Sequence, residues 1–213
     1  MEIIREIMGK FKIGALVVVV LGLCFSCSDD ESDGTTDEVV VGTLLDEDEK
    51  ALLFMLEEEK MARDTYDYLG GLYGITQFSS IKLSEQSHMD AVADLLDWYG
   101  IDYTLRAYGE FENEELQGLY DQLIEKGEID AINALQVGAT IEDLDIVDLQ
   151  EFIDVTTNTN VIAVFENLQC GSRNHLRSFV GALESANGSY EPLFLTLEAY
   201  TAIIEAANEQ CGQ

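Results

Sequence analysis

The chain has 213 residues, with 11 Lys plus Arg against 42 Asp plus Glu and a formal net charge of −31. That length fits one domain of ordinary size, and 47% hydrophobic content supplies a real core and excludes wholesale disorder. A single proline and 17 glycines exclude collagen-like and proline-rich designs. The charge excludes nucleic acid, whose phosphates require clustered Lys and Arg.

Residues 1–26 differ in composition from everything after them. Arg5, Lys10 and Lys12 make a basic start, and Ile13 to Leu23 form an apolar run of signal-peptide length, short for a membrane-spanning helix. The run ends at Leu23-Cys24-Phe25-Ser26-Cys27, which resembles the lipobox of bacterial lipoproteins. Small Ser26 directly precedes Cys27, the expected lipidation site, whereas Cys24 follows bulky Leu23 and fits less well. An ordinary secretory signal or an uncleaved anchor is the alternative. Ser28 to Glu38 are polar and acidic without periodicity, and residues 27–44 read as a flexible tether. Their acidic run resembles the export signal of surface lipoproteins in Bacteroidetes-type bacteria. The expected location is the cell envelope, with a lipid anchor in the outer membrane and the body facing either the periplasm or the exterior. Loss of residues 1–26 leaves 8 basic and 40 acidic residues, or −32.

Two cysteines then remain in the mature body, Cys170 and Cys211. An envelope location permits a disulfide between them; two free buried thiols are the other reading.

Helical periodicity dominates residues 45–209. From Asp46 to Leu69, Leu52, Met55, Leu56, Ala62, Tyr66 and Leu69 recur at three- and four-residue steps, and Gly70-Gly71 is expected to end the helix. Ser79 or Ser80 is expected to cap a second helix running to about Tyr99, closed by Gly100. Short amphipathic pieces follow at 111–126 and 128–137. Thr140 is expected to cap a third long helix carrying Ile141, Leu144, Leu149 and Phe152. Asn158 or Thr159 starts a fourth, with Val161, Phe165, Leu168, Leu176 and Phe179, and a last helix spans about 196–209. The pattern predicts an all-α fold, four long helices in a bundle with short connecting helices between the second and third and a C-terminal helix.

Charged residues fall on the apolar stripes. Glu59 lies on the face of Leu52, Met55, Ala62 and Tyr66, while Glu57 and Glu58 point off it and read as solvated. Glu85 and His88 form E-x-x-H, which aims both side chains at one point of a helix face. Glu142 and Asp145 share a stripe with Leu149 and Phe152, and His175 lies with Phe165, Leu168, Ser172 and Phe179. An isolated inward Glu commonly pairs with a base such as Arg63 or Arg173. Four buried carboxylates facing only two imidazoles are instead an imbalance that a metal ion resolves, since an unpaired buried charge costs several kcal/mol. Carboxylate oxygen with imidazole nitrogen suits iron, manganese or zinc. The expected ligands are therefore Glu59, Glu85, His88, Glu142, Asp145 and His175.

The strings EEEKMARDTY (57–66), SEQSHMDAV (84–92), GATIEDLDIVDL (138–149) and FENLQCGSRNHLRSF (165–179) resemble an uncharacterised ferritin-like family of bacteria and archaea, over about residues 46–205. The arrangement of inward groups is similar to the di-iron carboxylate bundle, with one Glu on each of two helices and E-x-x-H on the other two. The resemblance implies iron, as a di-iron or single-metal centre, and ferrous oxidation by oxygen or peroxide. It also marks a departure: the position three residues before His175 holds Ser172 rather than Glu, with Asp145 available from the neighbouring helix. Tyr66, one turn beyond Glu59, is a packing residue that can also hydrogen-bond a ligand.

The expected partners are metal ions, a membrane reached only through the lipid anchor, and a second copy in a homodimer. A metal-free helical scaffold that binds a partner through its acidic surface is the competing reading. A hydrolase has no support, because no Ser or Cys sits in a nucleophile setting beside a histidine and H-E-x-x-H is absent.

Overall fold

The computed structural model describes residues 44–212. The signal-peptide segment, Cys24, Cys27 and nearly all of the tether lie outside the described residues. Six helices and no strand occur among the described residues: α1 (Asp46–Tyr73), α2 (Thr76–Tyr99), α3 (Glu114–Gly127), α4 (Ala131–Val155), α5 (Thr159–Ser185) and α6 (Leu197–Glu205). None of them is long and apolar enough to cross a membrane.

The long helices pair as two hairpins, α1 with α2 and α4 with α5, and the hairpins pack through α2 against α5 and α1 against α4. Leu52, Met55, Leu56, Met89, Val92, Leu96, Leu149, Val161, Phe165 and Leu168 fill one end of the space between them. At the other end the rings of Tyr66, Phe78 and Phe179 meet with centroids 5.2–5.7 Å apart. Each such buried side chain contributes about 1.5–3 kcal/mol. Both ends are lined by buried apolar and aromatic side chains, so the polar residues at mid-length sit between two apolar plugs.

Several boundaries differ from expectation. Helix α1 continues past Gly70, which packs directly on Phe78, and ends at Gly74. Helix α2 starts earlier, at Thr76, without a side-chain cap. The separate turn expected at 128–137 and the helix expected from Thr140 are one helix, α4, so a single short helix, α3, lies between α2 and α4. The cap of α4 is Asp130, which accepts from Asn133 N–H; the Thr140 hydroxyl donates to the Gln136 carbonyl inside the helix. Gly138 is not a stop: a Cβ there would lie 2.5 Å from the Phe179 ring, so glycine is what lets α5 approach α4.

Three buried acids tie loops to this frame. Glu57 accepts from the N–H groups of Glu112 and Asn113, and Asp64 accepts from Gly109 N–H. Asp143 accepts from Leu193, Phe194 and Leu195 N–H and from the Tyr190 hydroxyl. The C-terminal segment is held on α5 by Arg173 and Arg177, which both reach Glu209, and by a bond between Cys170 and Cys211, with Cα atoms 5.7 Å apart.

Candidate metal centre

Halfway along the long helices the polar side chains converge. Glu59 comes from α1, Glu85 and His88 from α2, Glu142 and Asp145 from α4, Ser172 and His175 from α5. Every one of these residues is at most 9% exposed.

They form two sets that share one carboxylate. Glu85 turns Oε2 toward His88 Nδ1 at 2.8 Å and Oε1 toward His175 Nδ1 at 2.9 Å. His88 Nδ1 also lies 3.2 Å from Glu59 Oε2, and His175 Nδ1 lies 3.4 Å from Glu142 Oε2. Glu59, Glu85 and His88 therefore present donor atoms within 4.8 Å of one another, and so do Glu85, Glu142 and His175. The E-x-x-H spacing on α2 places one ligand of each kind in the first set and lets Glu85 reach across to the second. The two imidazoles lie nearly parallel, with centroids 5.6 Å apart.

Not every close approach here is a hydrogen bond. Glu59 Oε1, Glu85 Oε1, Asp145 Oδ1 and His175 Nδ1 are all buried and meet no well-aligned partner. Lone pairs that crowd together without donors between them are an arrangement that suits a cation. The bases that might have neutralised the acids are committed elsewhere: Arg63 to Asp64 and Gln86, Arg173 to Glu209 and Gln169.

The electrostatics follow. Burial pushes the Glu59 carboxyl up to about 8 against the pull of His88. Burial, with the Glu85 charge, pushes Glu142 up to about 7. Burial also raises Asp145, with help from Glu59 and Glu142. For Glu85 burial works upward too, but the His175 and His88 charges outweigh it and hold the carboxyl well below its ordinary value. Burial would lower His175, yet Glu85 and Glu142 drive it up to about 10; Glu59 and Glu85 raise His88 in the same way.

Neighbouring residues fix these groups. The Tyr66 hydroxyl donates to Glu142 Oε1 at 2.5 Å, and burial together with Glu142 raises its own pKa well above the ordinary tyrosine value. The Ser172 hydroxyl donates to Asp145 Oδ2, so the serine standing where a glutamate was expected holds a carboxylate from α4 instead. Gly171 faces the His88 ring so closely that a Cβ would lie 2.7 Å from Cε1 and Nε2. Only glycine leaves that ring its position.

The structure brings five of the six expected residues into the two sets; Asp145 is buried beside them but belongs to neither. The expectation that Glu57 and Glu58 are solvated is wrong: they are 8% and 1% exposed. Residues 55–62 of α1 are all buried: most face the bundle, and segment 107–113 bonds Glu57 and Lys60 on the side that helical periodicity assigns to water. Glu57 was missed for this reason, and Glu58 because the acids that act on it, Asp148 and Asp145, lie on α4. The available signal was three consecutive glutamates inside a long helix whose opposite face also ends in Lys60 and Asp64.

Similarity to known proteins runs over nearly the whole helical body. Residues 48–207 match the family described as "Uncharacterized protein domain (DUF2202)". The chain is 43% identical over 167 residues to the uncharacterized protein MJ0754 of Methanocaldococcus jannaschii, covering 78% of this chain and 90% of that one. The crystal structure of the hypothetical protein MJ0754 superposes with a TM-score of 0.74 at 39% identity, over 86% of this chain and all of that one. The chain belongs to the DUF2202 family.

Proposed function

We propose that this protein is a ferritin-like four-helix bundle that binds a pair of divalent metal ions, carried at the cell envelope on a lipid anchor at Cys27. The observation that carries the metal reading is the shared carboxylate: Glu85 offers one oxygen to each of two three-residue sets, each completed by one imidazole and one further carboxylate. His88 with Glu59 would hold one ion and His175 with Glu142 the other, with Glu85 between them.

Mixed oxygen and nitrogen donors suit iron first, with manganese and zinc as competitors. Bound iron would supply oxidation–reduction chemistry with oxygen or peroxide. The chain's own part is to exclude water with the apolar plugs at either end, to orient Glu142 through Tyr66, and to balance charge with carboxylates held in low dielectric. The acidic body would concentrate cations around the site in a salt-sensitive way.

The test is metal content of the whole chain prepared with iron, manganese and zinc in turn, beside Glu85→Gln and His175→Ala. About two equivalents per chain are expected in the wild type, following the shared-ligand geometry. Glu85→Gln should lose both, and His175→Ala only one. Folded proteins that hold no metal in any preparation would sink the reading and leave the metal-free scaffold. Fractionating the same cells checks the anchor: Cys27→Ser should leave the membrane fraction, and its retention there would refute lipidation at that residue.

A further inference from the structure

Among the inward groups of the candidate centre the two imidazoles are the least buried. His88 and His175 are 7% and 9% exposed, against 1–5% for Glu59, Glu85, Glu142, Asp145 and Ser172. Their Nδ1 atoms turn inward to the carboxylates. The outer edges of the rings meet α5 at Gly171, where a Cβ would lie 2.7 Å from His88 Cε1 and Nε2 and 3.7 Å from His175 Cε1.

Asn167, Cys170, Gly171 and Asn174 follow at i, i+3, i+4 and i+7 and so share one face of α5. The C-terminal segment runs along that face. Glu209 N–H donates to Asn174 Oδ1 at 2.9 Å, and Asn174 Nδ2 donates to the Glu209 carbonyl at 3.1 Å. Cys211 is bonded to Cys170, and its Sγ accepts from Asn174 Nδ2 at 3.3 Å. Gly212 stands against Asn167, where a Cβ would lie 3.3 Å from Oδ1. The segment therefore straddles the turn whose glycine meets both rings.

Its hold is covalent and polar rather than apolar. No residue of α6 is buried, and the Glu209 side chain that pairs with Arg173 and Arg177 is 34% exposed, where ion pairs contribute little. The disulfide, which closes a sequence separation of 41 residues, is what fixes the segment. Cys170 is buried and Cys211 half-buried, so an attacking thiolate reaches Cys211.

We propose that the Cys170–Cys211 pair is a thiol-exchange site, and that its reduction lifts segment 209–212 from α5 and opens the imidazole edge of the centre. The substrate class is a small thiol. Its thiolate attacks Cys211 Sγ, the disulfide breaks, and Cys170 leaves as a thiolate that takes up a proton. A second thiol then displaces Cys211 from the mixed disulfide. Two small thiols become one disulfide and supply the two electrons and two protons that the cysteine pair gains. The closed form slows exchange of bound metal with solvent, a consequence that rests on the metal reading; the covering of the histidines does not.

The experiment is hydrogen–deuterium exchange at the imidazole C2 positions of His88 and His175, read by mass spectrometry on the whole metal-free chain before and after excess reduced glutathione. Reduction should speed exchange at both positions by at least about threefold, with the helical circular dichroism unchanged. Cys170→Ala with Cys211→Ala should match the reduced protein without any thiol; if that variant misfolds, Cys211→Ser alone serves, at the half-buried position. A disulfide that glutathione leaves intact, or histidines that exchange at the oxidised rate after reduction, overturns the proposal and leaves the bond a plain cross-link. Manganese(II) loss to a chelator, compared between oxidised wild type and the cysteine variant, should accelerate by a similar factor. Histidines that open on reduction in a chain that binds no manganese keep the cover and reject the metal reading. Bound manganese released at equal rates from both proteins overturns the gating and leaves the metal reading standing.

Discussion

Two buried charged clusters lie about a turn apart on α1 and are built on opposite principles. In the first, Asp64 is wholly buried and accepts from Lys60, Arg63 and Gly109 N–H. The Lys60 ammonium completes its three bonds on the Ala107 and Glu110 carbonyls and lies 4.3 Å from the centre of the Phe111 ring. Every donor there meets an acceptor. In the second, Glu59, Glu85, Glu142 and Asp145 face two imidazoles and leave several oxygens unmatched. Buried charge alone does not mark a site, since the Lys60 cluster is a structural clamp holding segment 107–113 over α1. The mark is the imbalance between anions and cations together with unmet lone pairs.

The largest expected effect breaks the clamp. Lys60→Met leaves Asp64 short of a partner and two carbonyls bare, at a cost of about 3–5 kcal/mol, measured by urea unfolding. Metal held per folded chain should not change. Glu142→Gln should do the reverse: the amide oxygen still accepts from Tyr66, a buried charge is gone, and metal-free stability stays level or rises by about 1 kcal/mol. Metal should leave the His175 set. Equal destabilisation by the two substitutions would erase the distinction between clamp and site.

Much of this was legible in the sequence. The all-helical fold and the inward Glu59, Glu85, His88, Glu142 and His175 follow from a 3.6-residue period, which places a polar residue on an apolar stripe wherever the core tolerates one. Helix ends were read less well, because Gly70 and Gly138 serve close packing on Phe78 and Phe179 rather than termination. No periodicity reveals that a glycine faces a ring on a distant helix. Glu57 escaped because its cover comes from a nonhelical segment some fifty residues away, of which the periodicity of α1 carries no sign. Asp145 was read as a ligand, and its pairing with Ser172 depends on the register of α4 against α5.

A smaller effect sharpens the comparison inside the site itself. Gly171→Ala puts a methyl 2.7 Å from the His88 ring and forces the imidazole to shift. Such overpacking costs about 1–3 kcal/mol. The damage should fall on the set containing His88 and Glu59, so the binding isotherm should split into one weakened and one nearly unchanged step. Uniform weakening of both steps would mean that the sets do not respond as separate units.

The most gradual effect is in pH. In the metal-free protein Glu59 is raised to about 8 by burial, so it keeps its proton at pH 7 when folded and releases it when unfolded. Folding then takes up a proton, and stability falls as pH rises from the ordinary carboxylate value through about 8. His175 is raised to about 10 by Glu85 and Glu142 against burial, so its contribution is complete below the ordinary histidine value and is lost as pH rises through about 10. Both slopes have the same sign, about 1.4 kcal/mol per pH unit for each proton taken up. Glu85 acts oppositely: its lowered pKa adds stability above the ordinary carboxylate value that is lost only in acid. Metal-free protein should therefore melt at progressively lower temperature from pH 6 to pH 9. A bound cation displaces the protons on Glu59 and His175, so metal affinity should rise over the same range and uptake at pH 7 should release protons into the buffer. Calorimetry in two buffers of different ionisation heat measures that release. Proton-free uptake with a flat melting profile would mean that the acids and imidazoles are not the groups the metal meets.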